Sequence, residues 1–286
     1  MAHTNAVSAV PFSPPDAQAG AQVPEKPARE ARPRPRTGKT ALRVLIGQVL
    51  LLACIFLAWE VAVRAQWLPV YSYGQPSGVW REFVLRLASG QLLADTWVTA
   101  QEAIIGFLIG SVLGSAAGLL LWLSPTAAAI LRPLMVALNG LPKIALAPLI
   151  IVWFGVGIES KIAVAAAITF IVALLTSYTG SQEVDQDYVR MLRALGAKRL
   201  QIFRMVIVPG SVPWIASAFR LNIGFAMIGA VVGEYISAEK GLGYLVYYAG
   251  TLYNLNGVWV GIFALMALAL VLDAIVGWIE RRLTWR

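Results

Sequence analysis

The stretch AIIGFLIGSVLGSAAGLLLWL, residues 103–123, contains no charged side chain and no proline. Roughly 20 such residues make a helix about 30 Å long, the thickness of a bilayer's hydrocarbon core. Nothing alternates along the run, so a half-exposed strand is excluded. In hydrocarbon an unpaired backbone group costs several kcal/mol, so only helices or closed barrels can span, and a continuous apolar run selects the helix. Glycine recurs every fourth residue, at Gly106, Gly110, Gly114 and Gly118, with Ser111 and Ser115 beside them. A ridge without side chains predicts close helix packing, in which dispersion contacts replace the hydrophobic drive that lipid does not supply.

Over the whole chain, the 286 residues are 58% hydrophobic and only 13% charged, and comparable apolar runs recur. The pattern predicts an all-α polytopic membrane protein with about six spans: 42–63, 97–122, 129–154, 161–180, 212–236 and 257–279. Residues 1–40 are rich in proline and alanine and carry Arg29, Arg32, Arg34, Arg36 and Lys39. They read as a disordered basic tail, followed by a transmembrane domain over residues 41–286. The first long apolar run, near Leu42, is long enough to span and is expected to stay attached as a helix rather than act as a cleaved signal. Between spans one and two, Val79, Phe83 and Leu87 at spacings of four suggest a short amphipathic helix. With the N-terminus inside, sixteen of the 23 Lys and Arg fall on inner segments, which predicts N-in and C-in termini in a bacterial inner membrane. The net charge of +8 is thus a topology signal and does not imply nucleic acid. Membrane lipids are expected neighbours, whether the tail binds their headgroups or is only a solvated extension.

Other chemistries are excluded by what the chain lacks. Cys54 is the single cysteine, so no intrachain disulfide can form, and its apolar surroundings suggest a buried thiol. His3 is the single histidine, which leaves no basis for a histidine metal site or catalytic triad. Glu60, Glu102, Glu234 and Asp273 sit on four different spans without an enzyme's spacing, so no catalytic residue and no metal ligand is assigned.

The third span reads Leu141-Pro142-Lys143-Ile144-Ala145-Leu146-Ala147-Pro148. Two prolines each remove a helix donor, so the helix should bend or break there. Transporters place such interruptions where backbone lines a cavity, which makes Pro142, Lys143 and Pro148 pathway candidates, with Lys143 suited to an anion. Lys143 can equally be read as snorkelling or bonding a freed carbonyl. Glu234, near the end of span five, joins the pathway set, although a gate or helix-end contact is also open to it. Glu102 continues the glycine ridge by one step and reads as a functional carboxylate or as an interfacial one facing water.

Between spans four and five, Glu183, Asp185 and Asp187 lead and Arg190, Arg193, Lys198, Arg199 and Arg204 follow, the order a helix dipole prefers. Asp185 or Asp187 can cap a helix running to about Leu195, Gly196 permits a turn, and a second helix from Lys198 to Val206 should stop before Pro209. Leu192, Leu195, Leu200 and Phe203 are apolar residues among these charges, suited to packing on another protein. On the residues alone, partner docking and interfacial packing are both open.

Leu195-Gly196-Ala197-Lys198-Arg199-Leu200-Gln201-Ile202-Phe203-Arg204 with Val208-Pro209 resembles the EAA loop of ABC importer permeases. The opening Glu-Ala-Ala is absent, with Arg190, Met191 and Leu192 in its place. Leu141 through Pro148, Trp153-Phe154-Gly155-Val156-Gly157, Arg220-Leu221, Gly229 through Glu234 and Gly241-Leu242-Gly243-Tyr244 extend the similarity to the nitrate/sulfonate/taurine branch, from about residue 42 to the end. The resemblance implies a type I importer permease fold and a pathway for a small solute. It also implies two cytoplasmic ATPase subunits, a solute-binding protein and a second permease copy, usually as a homodimer. The coupling loop would be residues 181–209, with Arg190, Leu192, Arg193, Leu195, Gly196, Ala197, Lys198, Phe203 and Pro209 at the ATPase. The chain has no G-x-x-x-x-G-K-[ST] phosphate loop, so ATP and Mg would belong to the partner ATPases, leaving this chain without cofactor or catalysis. The alternative weighed against this is an ion-coupled secondary transporter, whose matching halves are not visible here.

Overall fold

The computed structural model describes residues 38–284, so residues 1–37 of the tail expected to be disordered lie outside the described residues, and 38–40 already belong to a helix. The chain divides after Leu52, and the packed helices belong to the body from Ala53 onward. Helix α1 (Gly38–Arg64) is followed by the short α2 (Val70–Tyr73) and α3 (Pro76–Ala88), then by the long α4 (Gln91–Leu121). The next span is α5 (Pro125–Gly140) and α6 (Ala147–Phe154), joined through a 3-10 turn at Lys143–Leu146. After α7 (Ile158–Gln182) come the loop helices α8 (Gln186–Ala194) and α9 (Arg199–Ile202), then α10 (Val208–Ser237), α11 (Leu242–Thr251) and α12 (Leu255–Thr284). Among the described residues, five helices are long and apolar enough to cross a membrane, and counting the α5–α6 pair, bent by 100°, as one broken span gives six.

Helices α4, α7 and α10 form the centre, and the glycine ridge explains how. A Cβ on Gly110 would lie 2.0 Å from the Thr169 hydroxyl and 2.2 Å from the carbonyl of Ala166, and one on Gly118 would lie 2.3 Å from the carbonyl of Leu174. Backbone meets backbone there, so the close approach requires glycine. Gly229 likewise brings α10 onto α7, where a Cβ would sit 2.6 Å from Ala165 Cα. Asn222 of α10 ties all three helices, donating to Ser111 Oγ at 2.9 Å and to the Thr169 carbonyl at 3.1 Å. Helix α3 forms as the spacing predicts, with Val79 and Phe83 in the core and Leu87 exposed.

Two expectations are corrected. Cys54 is exposed, because an exposed face of a spanning helix takes apolar side chains as readily as the interior does. Pro209 does not stop the helix: α9, a π-helical turn at Phe203–Ile207 and α10 run on as one helix from Arg199 to Ser237, well before the expected start near residue 212. The physical reason lies in the ladder: Val208 N–H donates to the carbonyl of Phe203, five residues back, and this widened turn directly before the proline lets the helix continue through it.

Candidate functional site

At one end of the bundle lies the loop between α7 and α10. Asp185 caps α8, its carboxylate accepting from Asp187 N at 2.9 Å. Helix α8 closes in a Schellman motif: Ala197 N donates to the Leu192 carbonyl and Gly196 N to the Arg193 carbonyl, both at 3.0 Å. Gly196 holds φ +80° with open space where a Cβ would stand, so backbone conformation alone requires glycine there. Gln201 then accepts from Lys198 N at 2.6 Å to start α9.

The loop's inner face packs through Val189, Ile202, Phe203 and Ile207 against Val184 and Leu119 at the end of α4. This divides the apolar residues expected at a partner. Phe203 is buried and stacked on Trp122, with ring centroids 6.2 Å apart, and Leu192 is half-buried, so both serve the loop's own core. Leu195 and Leu200 are 75% and 50% exposed, and Met191 and Met205 are exposed with them. Arg190, Arg193, Lys198 and Pro209 are exposed and Ala197 half-exposed.

The interrupted third span behaves as its prolines dictate. The residue before a proline is driven out of the helical region, and Leu141 sits at φ −71°, ψ 131°. Pro142 follows with ψ 98° and leads into the 3-10 turn that carries half-buried Lys143. Pro148 causes no break, because it occupies the first turn of α6, where no donor is needed. Through Ala147 and Ile150, α6 packs on Val164 and Ile168 of α7.

The opposite end holds a buried polar clasp that sequence reading did not assemble. Glu234, at the end of α10, accepts from the Thr99 hydroxyl at 2.6 Å and from Gly243 N at 2.5 Å. Thr99 in turn accepts from Leu242 N at 2.8 Å, and Asp95 accepts from Gly241 N at 3.0 Å. The first amides of α11 are therefore aimed at side chains of α4 and α10, satisfying donors that a helix start leaves unpaired. Gly241 has φ +111°, and a Cβ on it would lie 2.2 Å from Glu234 Oε1; one on Gly243 would lie 2.6 Å from Oε2. Lys161 Nζ donates to the carbonyls of Gly157 at 3.1 Å, Ser237 at 2.6 Å and Val156, so it joins the start of α7 to the end of α10.

Glu102, 2% exposed, completes the cluster beside Glu234 and faces the charge of Lys161. Its side chain is buried within the single chain, at the edge of a cavity lined also by Lys161, Glu239 and Lys240, and its Oε2 has no hydrogen-bond partner. Of the four acids read as scattered, Glu102 and Glu234 thus meet. Glu60 instead accepts from Ser77 N and Gln75 Nε2 at the start of α3, and Asp273 lies 3.4 Å from Arg220. Glu234 belongs to this clasp, and Pro142, Lys143 and Pro148 belong to the interrupted span. Among the described residues no cluster of His, Cys, Asp and Glu suits a metal.

Residues 106–285, which contain this loop, the interrupted span's partners and most of the clasp, match the family model described as binding-protein-dependent transport system inner membrane component. The chain belongs to that family. The permease is 31% identical over 261 residues to the riboflavin transport system permease protein RibX of Chloroflexus aurantiacus, covering 90% of this chain and 96% of the relative. It is 30% identical over 276 residues to SsuC of Bacillus subtilis, named for aliphatic sulfonates transport, covering 94% and 97%. Among solved structures it shares its fold with the inward-facing MetNI methionine ABC transporter, with a TM-score of 0.61 at 20% identity over 69% of this chain and 98% of that one. The permease is thus the membrane-spanning subunit of an ATP-driven importer, a multi-pass protein of a class that works with ATPase subunits and binding proteins. The ion-coupled alternative gains no support.

Proposed function

We propose that residues 181–209 receive the stroke of a separate ATPase subunit and that α10 carries it to the clasp at the far end. One observation carries this reading: the loop's second helix is continuous with the span that ends in Glu234, a single helix of 39 residues. A push on Leu195 and Leu200 moves a rigid rod about 58 Å long. Its far end is fastened to α4, α7 and α11 by Thr99, Lys161 and Gly243. Closure of two ATPases would then rock the bundle between inward and outward access. ATP and Mg sit in those partners, and this chain takes no catalytic part. Two copies pair to enclose the pathway, N- and C-termini lie on the ATPase side, and Pro142, Lys143 and Pro148 face the solute.

The relatives' names span riboflavin and sulfonates, so the fold does not dictate the cargo. Lys143 at the interruption favours a small anion. The decisive experiment is co-purification with the partner ATPase and uptake in proteoliposomes for Gly196→Asp. The variant should insert normally yet lose both; a well-expressed variant that keeps both overturns the reading. Lys143→Met should lower uptake of an anionic solute while leaving ATPase association intact.

A further inference from the structure

Where the docking loop meets the ends of the spans there is a cavity of about 350 Å³ whose lining is arginine-rich and free of acids. Arg132 of α5, Arg193 of α8 and Arg199 of α9 converge on it, with Gln182, Gln186 and Tyr178 supplying further polar groups. Arg199 is held in place, donating to the Trp122 carbonyl at 2.8 Å and lying over the Trp122 ring at 5.3 Å. Arg132 and Arg193 have no ion-pair or hydrogen-bond partner among the described residues. The nearby acids are engaged elsewhere, Asp185 at the α8 cap and Asp187 with Arg190 at 3.4 Å.

A second cavity, of about 430 Å³, shares Arg132 and Tyr178 with the first and continues along α5, α7 and α10 past Met135, Val136, Leu175 and Trp214. The first cavity is cationic, and the second, which adjoins it at Arg132 and Tyr178, is a largely apolar groove with Asn139, Thr176 and Thr179 in its lining. Beside it α5 presents exposed Ile130, Leu134 and Val136. Tyr178 lines both cavities and Trp122 lines the first, amphipathic rings of the kind that favour a membrane interface. Uncompensated guanidinium groups recognise phosphate oxygens in bidentate fashion.

We propose that these two adjoining cavities together bind one anionic phospholipid, its phosphate held by Arg132, Arg193 and Arg199 and an acyl chain lying in the α5–α7–α10 groove. The lipid would brace the docking loop against the spans, because its headgroup touches α5, α8 and α9 together. The inference does not depend on the ATPase reading.

The test is native mass spectrometry of the full-length chain in mild detergent, titrated with phosphatidylglycerol, phosphatidylcholine or inorganic phosphate. One phosphatidylglycerol should be retained about tenfold more tightly than phosphatidylcholine. Arg132→Gln and Arg193→Gln should each weaken it about fivefold, while Arg81→Gln on α3 should not. Arg193 is exposed on a loop helix, so its variant tests the site without disturbing the core. Equal retention of the two lipids, or unchanged binding in both variants, overturns the proposal. Displacement by equimolar inorganic phosphate would assign the chamber to a free oxyanion and overturn it as well. So would a wild type that holds no lipid while both variants lose the ATPase, which would make the chamber part of the partner's seat.

Discussion

Gly196 and Gly241 adopt the same left-handed half of backbone space at opposite ends of the bundle, and their surroundings are opposite. Around Gly196 there is open space, and the neighbouring Leu195 is 75% exposed. Around Gly241 the carboxylate of Glu234 fills the position a side chain would need. Both turns demand glycine for conformation, but only the second demands it for packing. The loop end is a shaped surface with its apolar residues still uncovered, as a docking element requires. The clasp end has met most of its needs internally. The proposed coupling role would use this asymmetry: one end that accepts a partner and one whose own contacts hold the helices together.

Four substitutions probe that contrast. Glu234→Ala removes the acceptor for both the Thr99 hydroxyl and Gly243 N, and at about 1–3 kcal/mol for each orphaned group it should cause the largest fall in the detergent unfolding midpoint. Gly243→Ala, which drives a methyl against the same carboxylate, should cost about 1–3 kcal/mol by overpacking. Gly196→Ala should cost about 1–2 kcal/mol, confined to the loop and read by hydrogen exchange of α8 and α9 rather than by global unfolding. A global loss for Gly196→Ala equal to that of Gly243→Ala would break the comparison. Leu195→Ala should leave stability within about 0.5 kcal/mol and still weaken ATPase co-purification. Unchanged co-purification would move the docking surface elsewhere on the loop.

How legible each end was from sequence depends on the range of its interactions. The spans were visible because length and apolarity are local properties, and the broken span because Pro142 acts on its immediate neighbour Leu141. The helix–turn–helix form of the loop between α7 and α10 was visible because a cap at Asp185 and a turn at Gly196 are also local signals. Its inner and outer faces were less so: Phe203 looks like a contact for a partner until Trp122, from the end of α4, stacks on it. Pro209 misled because a proline normally ends a helix, and the π-helical turn before it has no residue signature. Of the clasp only the helix-end contact of Glu234 was open from sequence, not its partners. Thr99 and Glu234 are 135 positions apart, and nothing in either span's periodicity says which faces meet. One physical signal was available: charged groups within apolar spans are costly, so Glu102, Lys161 and Glu234 had reason to find one another.

The π-helical turn at Phe203–Ile207 also sets a phase. In a regular helix each residue advances the side chains by about 100°, so a turn that takes up one additional residue rotates everything beyond it by that amount relative to everything before. The bearing of the exposed Leu200 on the docking side and the bearing of Glu234 toward Thr99 are therefore related through those five residues. Deleting one of them would leave both ends chemically intact and turn them out of step.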